Sequence, residues 1–532
     1  MSSLTPRLRP PYRPRRAVVH LDSAGHRGAV CTATDVKVVE GEGNALVMAL
    51  EASNQTLLAP DSDSLLPALQ QAKRIGWNYT IQAGKKNIRR AYVDKGEEGS
   101  KGKKSKARPI GDLGAMTQRL GLELDPADSA KFAWDRADRL CSDLRATLGV
   151  PLLDSAARTC LQVLQRGLKE KYQCGAGMNE LIDLWHAKGG GRVEVFSPGD
   201  HKKRGVDLDM NSAYCAALLE PLPGQYLGLG KNPFSPCSMT IATVHVTGRF
   251  PPLRYLSDRG HVYFPKGRWT GLFLPEELAA RGVNVMHVHR VHLFAPRQDL
   301  AYGAEALHNA RTRAGKDSEL GAFIKIATVA GIGALGANKA TRKVVTKPEE
   351  GACYHSPGLW VVERESVREP PHALYPVNMA IVGRTRVKLG EAIYQLSDAG
   401  FAPCSVDTDG IDAIGSGKLP PWFKVGDGPG EWRCRRTQRI EVFGAKASIV
   451  TFKGEAPKIR AGGLSKEFTA AQLRSAYGTG KVDVVRMGKV IEVALQRKSY
   501  LEEPLDVGEI PAYEEKVYGP VHGDAIGEDE QE

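Results

Sequence analysis

Three aspartates, in two stretches far apart in the chain, have the types and spacing to do chemistry. Residues 205 to 214 read Gly-Val-Asp-Leu-Asp-Met-Asn-Ser-Ala-Tyr. An apolar run that ends on carboxylates and then turns presents Asp209 at a strand terminus, with its oxygens free for a hard cation. Residues 403 to 412 read Pro-Cys-Ser-Val-Asp-Thr-Asp-Gly-Ile-Asp. Asp407 and Asp409 stand two apart, so they point to one side of a strand or flank a tight turn. Together the three carboxylates suit two Mg2+ ions, or Mn2+ in their place, clamping the attacking and leaving oxygens of a phosphoryl transfer. The expected chemistry is nucleotidyl transfer.

The elements that must position these groups need more than one core. A chain of 532 residues predicts two to four domains. Its net charge of +12 is not made by the ends, because Arg7, Arg9, Arg13, Arg15 and Arg16 are offset by Asp524, Glu528, Asp529, Glu530 and Glu532. A basic body suits a phosphate-rich partner. Nine cysteines without a C-x-x-C pair argue against a zinc site or a disulfide frame and for a reducing compartment. With no apolar run of membrane-spanning length and no signal peptide, the expected setting is cytoplasmic.

In chain order, residues 1 to 16 carry five Arg and four Pro and predict a disordered basic arm. Strands are expected at 17 to 22, 43 to 50, 78 to 83 and 88 to 93, and helix over 112 to 165. Lys101 to Arg108 reads as a solvated basic loop. Residues 240 to 246 and 283 to 294 alternate as strands around a helix at 274 to 281, and His287, His289 and His292 read as solvated strand histidines rather than metal ligands. Ala304 to Arg313 predicts an amphipathic helix broken at Gly315, with Asp317 and Ser318 capping a second helix from Glu319 to about Gly333. Arg342 to Cys353 and Gly358 to Glu363 read as a hairpin about a Pro-Glu-Glu-Gly turn. A helix is expected from Ala380 to Leu396, under the Asp-Thr-Asp turn. Residues 521 to 532 form an acidic tail.

At these motifs the chain resembles the family B DNA polymerases, particularly the protein-primed viral and plasmid branch. Asp209-Met-Asn211-Ser212-Ala-Tyr214 resembles the first palm motif, Asp-x-Asn-Ser-x-Tyr, and Asp407-Thr408-Asp409 the third, Asp-Thr-Asp-Ser, with Gly410 in place of Ser. Lys325 and Gly333 keep the ends of the fingers motif Lys-x-x-x-Asn-Ser-x-Tyr-Gly, while Val329, Ala330 and Ile332 replace its Asn, Ser and Tyr. Gly383-Arg384 falls on a Thr-x-x-Gly-Arg segment, Lys446 on Lys-x-Tyr, and Lys458-Ile-Arg460-Ala-Gly-Gly463 on the basic glycine stretch beyond it. Gly190, Gly191 and Arg192 fall on a template-contacting Tyr-x-Gly-Gly segment, with Lys188 at the Tyr position.

The resemblance implies an α/β multidomain fold. A basic arm over 1–16 precedes an RNase H-like exonuclease-type domain over 17–185, then palm with an insertion over 186–299, fingers over 300–337, a hairpin insertion over 338–374, palm again over 375–430, thumb over 431–520 and the tail over 521–532. It implies a DNA-directed DNA polymerase in which Asp209, Asp407 and Asp409 are catalytic and hold two Mg2+. Tyr214 would stack beneath the incoming sugar. Lys325 with Arg311 or Arg313 would meet the triphosphate, beside Gly333. Gly190, Gly191, Arg192, Arg384, Lys446, Lys458 and Arg460 would contact DNA. Implied partners are template, primer, dNTPs and a terminal protein, acting with a monomeric enzyme of viral or mobile-element replication in a bacterial cytoplasm. In the exonuclease-type domain, Asp22 is followed by Ala24 where Glu is wanted and Trp134 to Asp138 takes the place of Tyr-x-x-x-Asp, so proofreading is expected to be weak or absent. Two other classes compete: a non-catalytic nucleic-acid-binding homologue, and a haloacid-dehalogenase-type phosphatase opening at Asp207-Leu-Asp209, where Asn211 departs from the pattern. A calcium loop at Asp407 fails because Gly410 comes too early.

Overall fold

The computed structural model describes residues 16–21, 27–31, 36–40, 56–59, 78–83, 88–94, 108–112, 126–153, 155–166, 168, 190–256, 262–336, 340–345, 352–356, 359–365, 374–461, 469–479, 481–486, 489–494 and 506–507. The chain divides into two compact units, one of residues 1–163, 309–331 and 338–370, the other of residues 164–308, 332–337 and 371–532. No helix among the described residues is long and apolar enough to cross a membrane. The arm, the strand at 43 to 50, the basic loop, Asp22, the Pro-Glu-Glu-Gly turn and the tail lie outside the described residues.

In the first unit seven strands form one sheet in the order Val36–Glu40, Arg27–Cys31, Arg16–Leu21, Thr56–Ala59, Arg108–Asp112, Ile88–Asp94, Asn78–Ala83. Arg16–Leu21 runs parallel to Thr56–Ala59, which runs parallel to Arg108–Asp112; the other pairings are antiparallel. Asp112 therefore closes a strand, opposite Ala59, instead of opening a helix. The helix Pro126–Leu148 begins on proline, whose missing N–H costs nothing in a first turn. Its residues Ala133, Ala137, Leu140, Cys141, Leu144 and Leu148 recur at three- and four-residue spacing and are buried. In the two helices of the predicted pair, Gly315 stops the first at φ 85°, and Ser318 caps the second by accepting the Gly321 N–H at 3.0 Å. Residues 340 to 365 make three strands rather than one hairpin: Leu359–Glu365 is central, between Ala340–Val345 and Ala352–Ser356.

The second unit is built on a five-stranded antiparallel sheet in the order Trp432–Thr437, Gly205–Met210, Gly410–Ile414, Ala402–Asp407, Val193–Val195. The 24-residue helix Tyr375–Asp398 covers one face of it. Leu389, Ala392, Ile393 and Leu396 from that helix pack with Val206, Leu208, Met210, Val406, Ile411 and Trp432. Each of the Leu, Ile, Val and Met side chains among them stabilises the fold by about 1.5–3 kcal/mol on burial. A second sheet, Lys458–Ala461, Ala447–Thr451, Arg439–Gly444 and Gly199–His201, stands beside the first. Its flank is held by the helix Ala470–Thr479, where Arg474 grips Glu441 with two bonds of 2.8 Å.

A four-stranded antiparallel sheet follows Gly205–Met210 in sequence: Leu222–Gly230, Val283–Arg297, Met239–Val246 and Gly267–Phe273. Here one expectation is corrected. His287 and His289 are exposed, but His292 is fully buried, its Nδ1 bonded to the Tyr226 hydroxyl at 3.3 Å. His292 pairs with the buried Met239 and lies beside Tyr226 of the neighbouring strand, an enclosure set by partners that the strand's own spacing does not encode.

Candidate active site

The site grows from the period of two in Gly205–Met210. Val206, Leu208 and Met210 face the covering helix, which leaves Asp207 and Asp209 on the opposite face. Antiparallel partners share a face, so the register assembles two rows across the sheet. The outer row is Arg433, Asp209, Gly410, Asp407. The inner row is Arg435, Asp207, Asp412, Ser405. Asp209 and Asp407 thus stand on either side of a residue with no side chain, their backbones roughly 10 Å apart at twice the interstrand spacing.

The turn after Asp407 is tight. The Asp409 N–H donates to the Asp407 carbonyl at 2.7 Å and Thr408 sits at φ 63°, a γ-turn that is strained for a β-branched residue. It is braced from outside, since the Thr408 N–H donates to the Arg192 carbonyl at 2.7 Å and the Met210 N–H to the Asp409 carbonyl at 2.8 Å. Gly191 packs against this turn so closely that a Cβ there would lie 2.8 Å from Thr408 Cγ2. Past Met210 the chain turns through Ser212 at φ 45°, while the Asn211 side chain donates to the Gly426 carbonyl at 2.6 Å. That turn opens the short helix Ala213–Leu218 and directs Tyr214 toward the aspartates. Burial first, then the charge of Asp409 and more weakly Asp407, raises the Tyr214 phenol above its usual range, against the opposing charge of Arg386.

The second sheet supplies cations. Lys446, at φ 63° in the hairpin turn between Arg439–Gly444 and Ala447–Thr451, places Nζ 2.8 Å from Asp407 Oδ1. Lys458 Nζ donates to Asp207 Oδ2 at 3.0 Å, and Arg460 bonds both Asp207 and Asp412. Those two carboxyls are 3% and 2% exposed. Burial raises Asp207, but the charges of Arg460 and Lys458 together outweigh it and hold the group below the usual range. Burial also raises Asp412, and there the charge of Arg460 does not overcome it. The shared arginine therefore favours the charged form of Asp207 more strongly than that of Asp412.

Asp209, Asp407, Asp409, Gly410, Lys446, Lys458 and Arg460 line one cleft with a volume of about 130 Å³. Among the described residues, no three His, Cys, Asp or Glu side chains stand close enough to form a ready-made metal cage. Nonetheless Asp209, Asp407 and Asp409 bring only carboxylate oxygens to one end of the sheet, and this donor set fits a hard cation such as Mg2+.

The remaining expected residues fall out differently. Arg192 is 0% exposed, paired with Glu194 and stacked 4.6 Å over the Phe264 ring, so its guanidinium is turned into the protein instead of toward a nucleic acid. Arg384 is spent internally on Glu276 at 3.0 Å and the Pro221 carbonyl at 2.7 Å. Gly190 is exposed, and its carbonyl accepts from Arg386 at 2.9 Å. Lys325 is exposed on the helix Glu319–Leu335, where Val329 is exposed as well, and Gly333 is exposed near its end. Arg311 and Arg313 occupy the last turn of Ala301–Ala314; Lys325, Arg311 and Arg313 belong to the first unit, Gly333 to the second.

Residues the motifs left unassigned complete the site. Asp207 and Asp412 stand two residues from Asp209 and Gly410, a spacing that places them on the same face. Arg433 donates to Asp209 at 2.9 Å, and the alternation of Arg433 and Arg435 was its only sequence signal. A buried group of Arg386 and Glu277, bonded at 2.8 Å, with Arg254 nearby, had no signal at all.

Several solved structures share this fold. The orthorhombic crystal form of Phi29 DNA polymerase matches with a TM-score of 0.66 over 91% of this chain and 99% of that one, at 13% identity. Phi29 DNA polymerase complexed with primer-template DNA and incoming nucleotides matches at 0.66 over 90% and 98%, at 14% identity. Its binary complex with primer-template DNA matches at 0.64 over 91% and 99%, at 13% identity. No family model and no curated protein matches the chain.

Proposed function

We propose that the chain is a template-directed DNA polymerase, joining dNTPs to a primer 3'-hydroxyl or to a protein primer, in the replication of a virus or mobile element. The observation that carries the reading is the outer row, in which Asp209 and Asp407 stand in register across Gly410 at the mouth of a cleft edged by Lys446. The shared fold supports it. In this reading the second unit contains the palm and thumb, and the mixed sheet of the first unit is an RNase H-like domain with weak or absent proofreading.

Asp209 and Asp409 would bridge two Mg2+ ions, with Asp407 supporting them. Bound there, the ions would lower the pKa of the primer hydroxyl and neutralise charge on the reacting phosphate. The chain's own groups orient the reactants. The Tyr214 ring lies under the incoming sugar and leaves no room for a 2'-hydroxyl, selecting deoxynucleotides. Raised above its usual range, its phenol stays protonated and adds no charge beside the aspartates. Lys458 meets the primer backbone, while Arg460 holds the inner carboxylates in place.

The test is incubation with dNTPs and Mg2+ on primed and unprimed templates, beside Asp409→Ala. Extension by the native chain and a loss of at least a hundredfold in the variant are expected, the scale of removing a principal electrostatic contributor. Equal extension by both would remove the site assignment. Omitting dNTPs reads excision, expected to be weak or absent. A non-catalytic homologue keeps one observation in its favour, the apolar Val329 exposed to 52% on the helix that carries Lys325. It predicts DNA binding with no extension in either arm.

A further inference from the structure

The outer row carries more than the carboxylates. From Arg433 through Asp209, Gly410 and Asp407 to Lys446, the charge runs positive, negative, none, negative, positive. Arg433 Nη2 donates to Asp209 Oδ2 at 2.9 Å and Lys446 Nζ lies 2.8 Å from Asp407 Oδ1, and all four side chains are about 40% exposed. Neither pair is sealed, so each can exchange partners with a ligand in the cleft. Backbone geometry does not require glycine between them. Gly410 is absent from the positive-φ residues, and a Cβ there would meet the Leu208 carbonyl oxygen at 3.4 Å and that of Asp407 at 3.8 Å, ordinary contacts. What glycine provides is open space between two carboxylates that already have counter-ions.

We infer that Arg433 and Lys446 are built-in counter-ions that yield Asp209 and Asp407 to divalent cations and turn to the phosphates of a polyphosphate ligand, so that cation and polyphosphate bind cooperatively. The inference rests on Asp209 and Asp407 as cation ligands. A carboxylate oxygen that accepts from a guanidinium cannot hold a divalent ion without placing two positive charges within a few ångströms, which is repulsive even in water. A cation on Asp209 therefore weakens the Arg433 contact and favours its release. The displaced guanidinium has no acid to take up on its own strand, because its same-face neighbour there is Arg435, engaged with Glu455. A phosphate entering with the cation supplies the missing anion. The coupling is reciprocal, each ligand tightening the other by the same factor.

Electron paramagnetic resonance titration of the full chain with Mn2+ alone, then with Mn2+ and a non-hydrolysable deoxynucleoside triphosphate, measures both arms. Arg433→Gln is expected to bind Mn2+ alone roughly two- to fivefold more tightly than the native chain, the scale of a half-exposed ion pair. The tightening caused by the triphosphate is expected to shrink by a similar factor, and Arg433→Lys to retain it. Unchanged or weaker Mn2+ binding by Arg433→Gln, with the same result for Lys446→Gln, overturns the inference. Should Arg433→Gln not fold, Lys446→Gln decides from the other end of the row. Coupling without template-directed extension would count against the polymerase reading alone; extension without coupling would count against this inference alone.

Discussion

Asp207 and Asp412 share one arginine but are shifted in opposite directions from the ordinary carboxylate range, so their removal should not cost the same. Asp207, held ionised by Arg460 and Lys458, contributes stability above its unfolded pKa, and that contribution disappears as pH falls through its lowered folded value. Asp412, raised by burial, is stabilising when protonated and becomes a liability as pH climbs through its raised value. At pH 7 Asp207→Asn is therefore expected to destabilise by about 1.5–3 kcal/mol, the range for bonds to charged groups. Asp412→Asn is expected to cost less than Asp207→Asn, since burial already disfavours the Asp412 charge that the amide removes. Urea unfolding at pH 7 and at pH 3 checks both: the Asp207→Asn deficit should shrink at the lower pH, and a deficit that grows there would contradict the assignment. Both aspartates were spelled out in the two motifs, and what hid their role was the lack of any sequence trace of Arg460 reaching them from another sheet.

At the scale of elements, alternation and capping were legible and pairing partners were not. Apolar residues every second position marked Gly205–Met210 and the strands near 240 and 283, and Gly315 with Ser318 marked the break between two helices. The helix Tyr375–Asp398 begins earlier than expected because Pro376 occupies its first turn, where proline is at home. Arg192 was misjudged because its exposure depends on Val193–Val195 pairing with residues two hundred positions away, which turns the guanidinium inward. The same pairing gives Gly191 its meaning. With a Cβ 2.8 Å from Thr408 Cγ2, Gly191→Ala must displace the strained turn that carries Asp407 and Asp409. Thermal unfolding should show a cost of about 1–3 kcal/mol, the usual penalty of overpacking. Adding Thr408→Gly, which removes both the clashing methyl and the left-handed strain, should recover most of it. Additive losses in the double variant would show that the two residues are not in contact.

For the whole molecule, the net charge of +12 has to be weighed against where it is not. Around the outer and inner rows, Asp207, Asp209, Asp407, Asp409 and Asp412 face Arg433, Lys446, Lys458 and Arg460, so the cleft region nearly balances and the positive excess lies elsewhere. In the proposed polymerase, long-range attraction of nucleic acid would therefore come from the body, with the cleft contributing only at short range. If six to ten phosphates are neutralised by the body, affinity for duplex DNA should fall by roughly 10³ or more between about 50 and 200 mM salt. The slope of log K against log salt then separates the two contributions. Lys458→Met removes a cation that Asp207 already half neutralises, so without divalent cations the slope should change by well under the ~1 expected for a lost phosphate contact. Filter-binding isotherms across that salt range measure it, and a full unit of change would mean that Lys458 leaves Asp207 for the backbone even with no cation in the cleft.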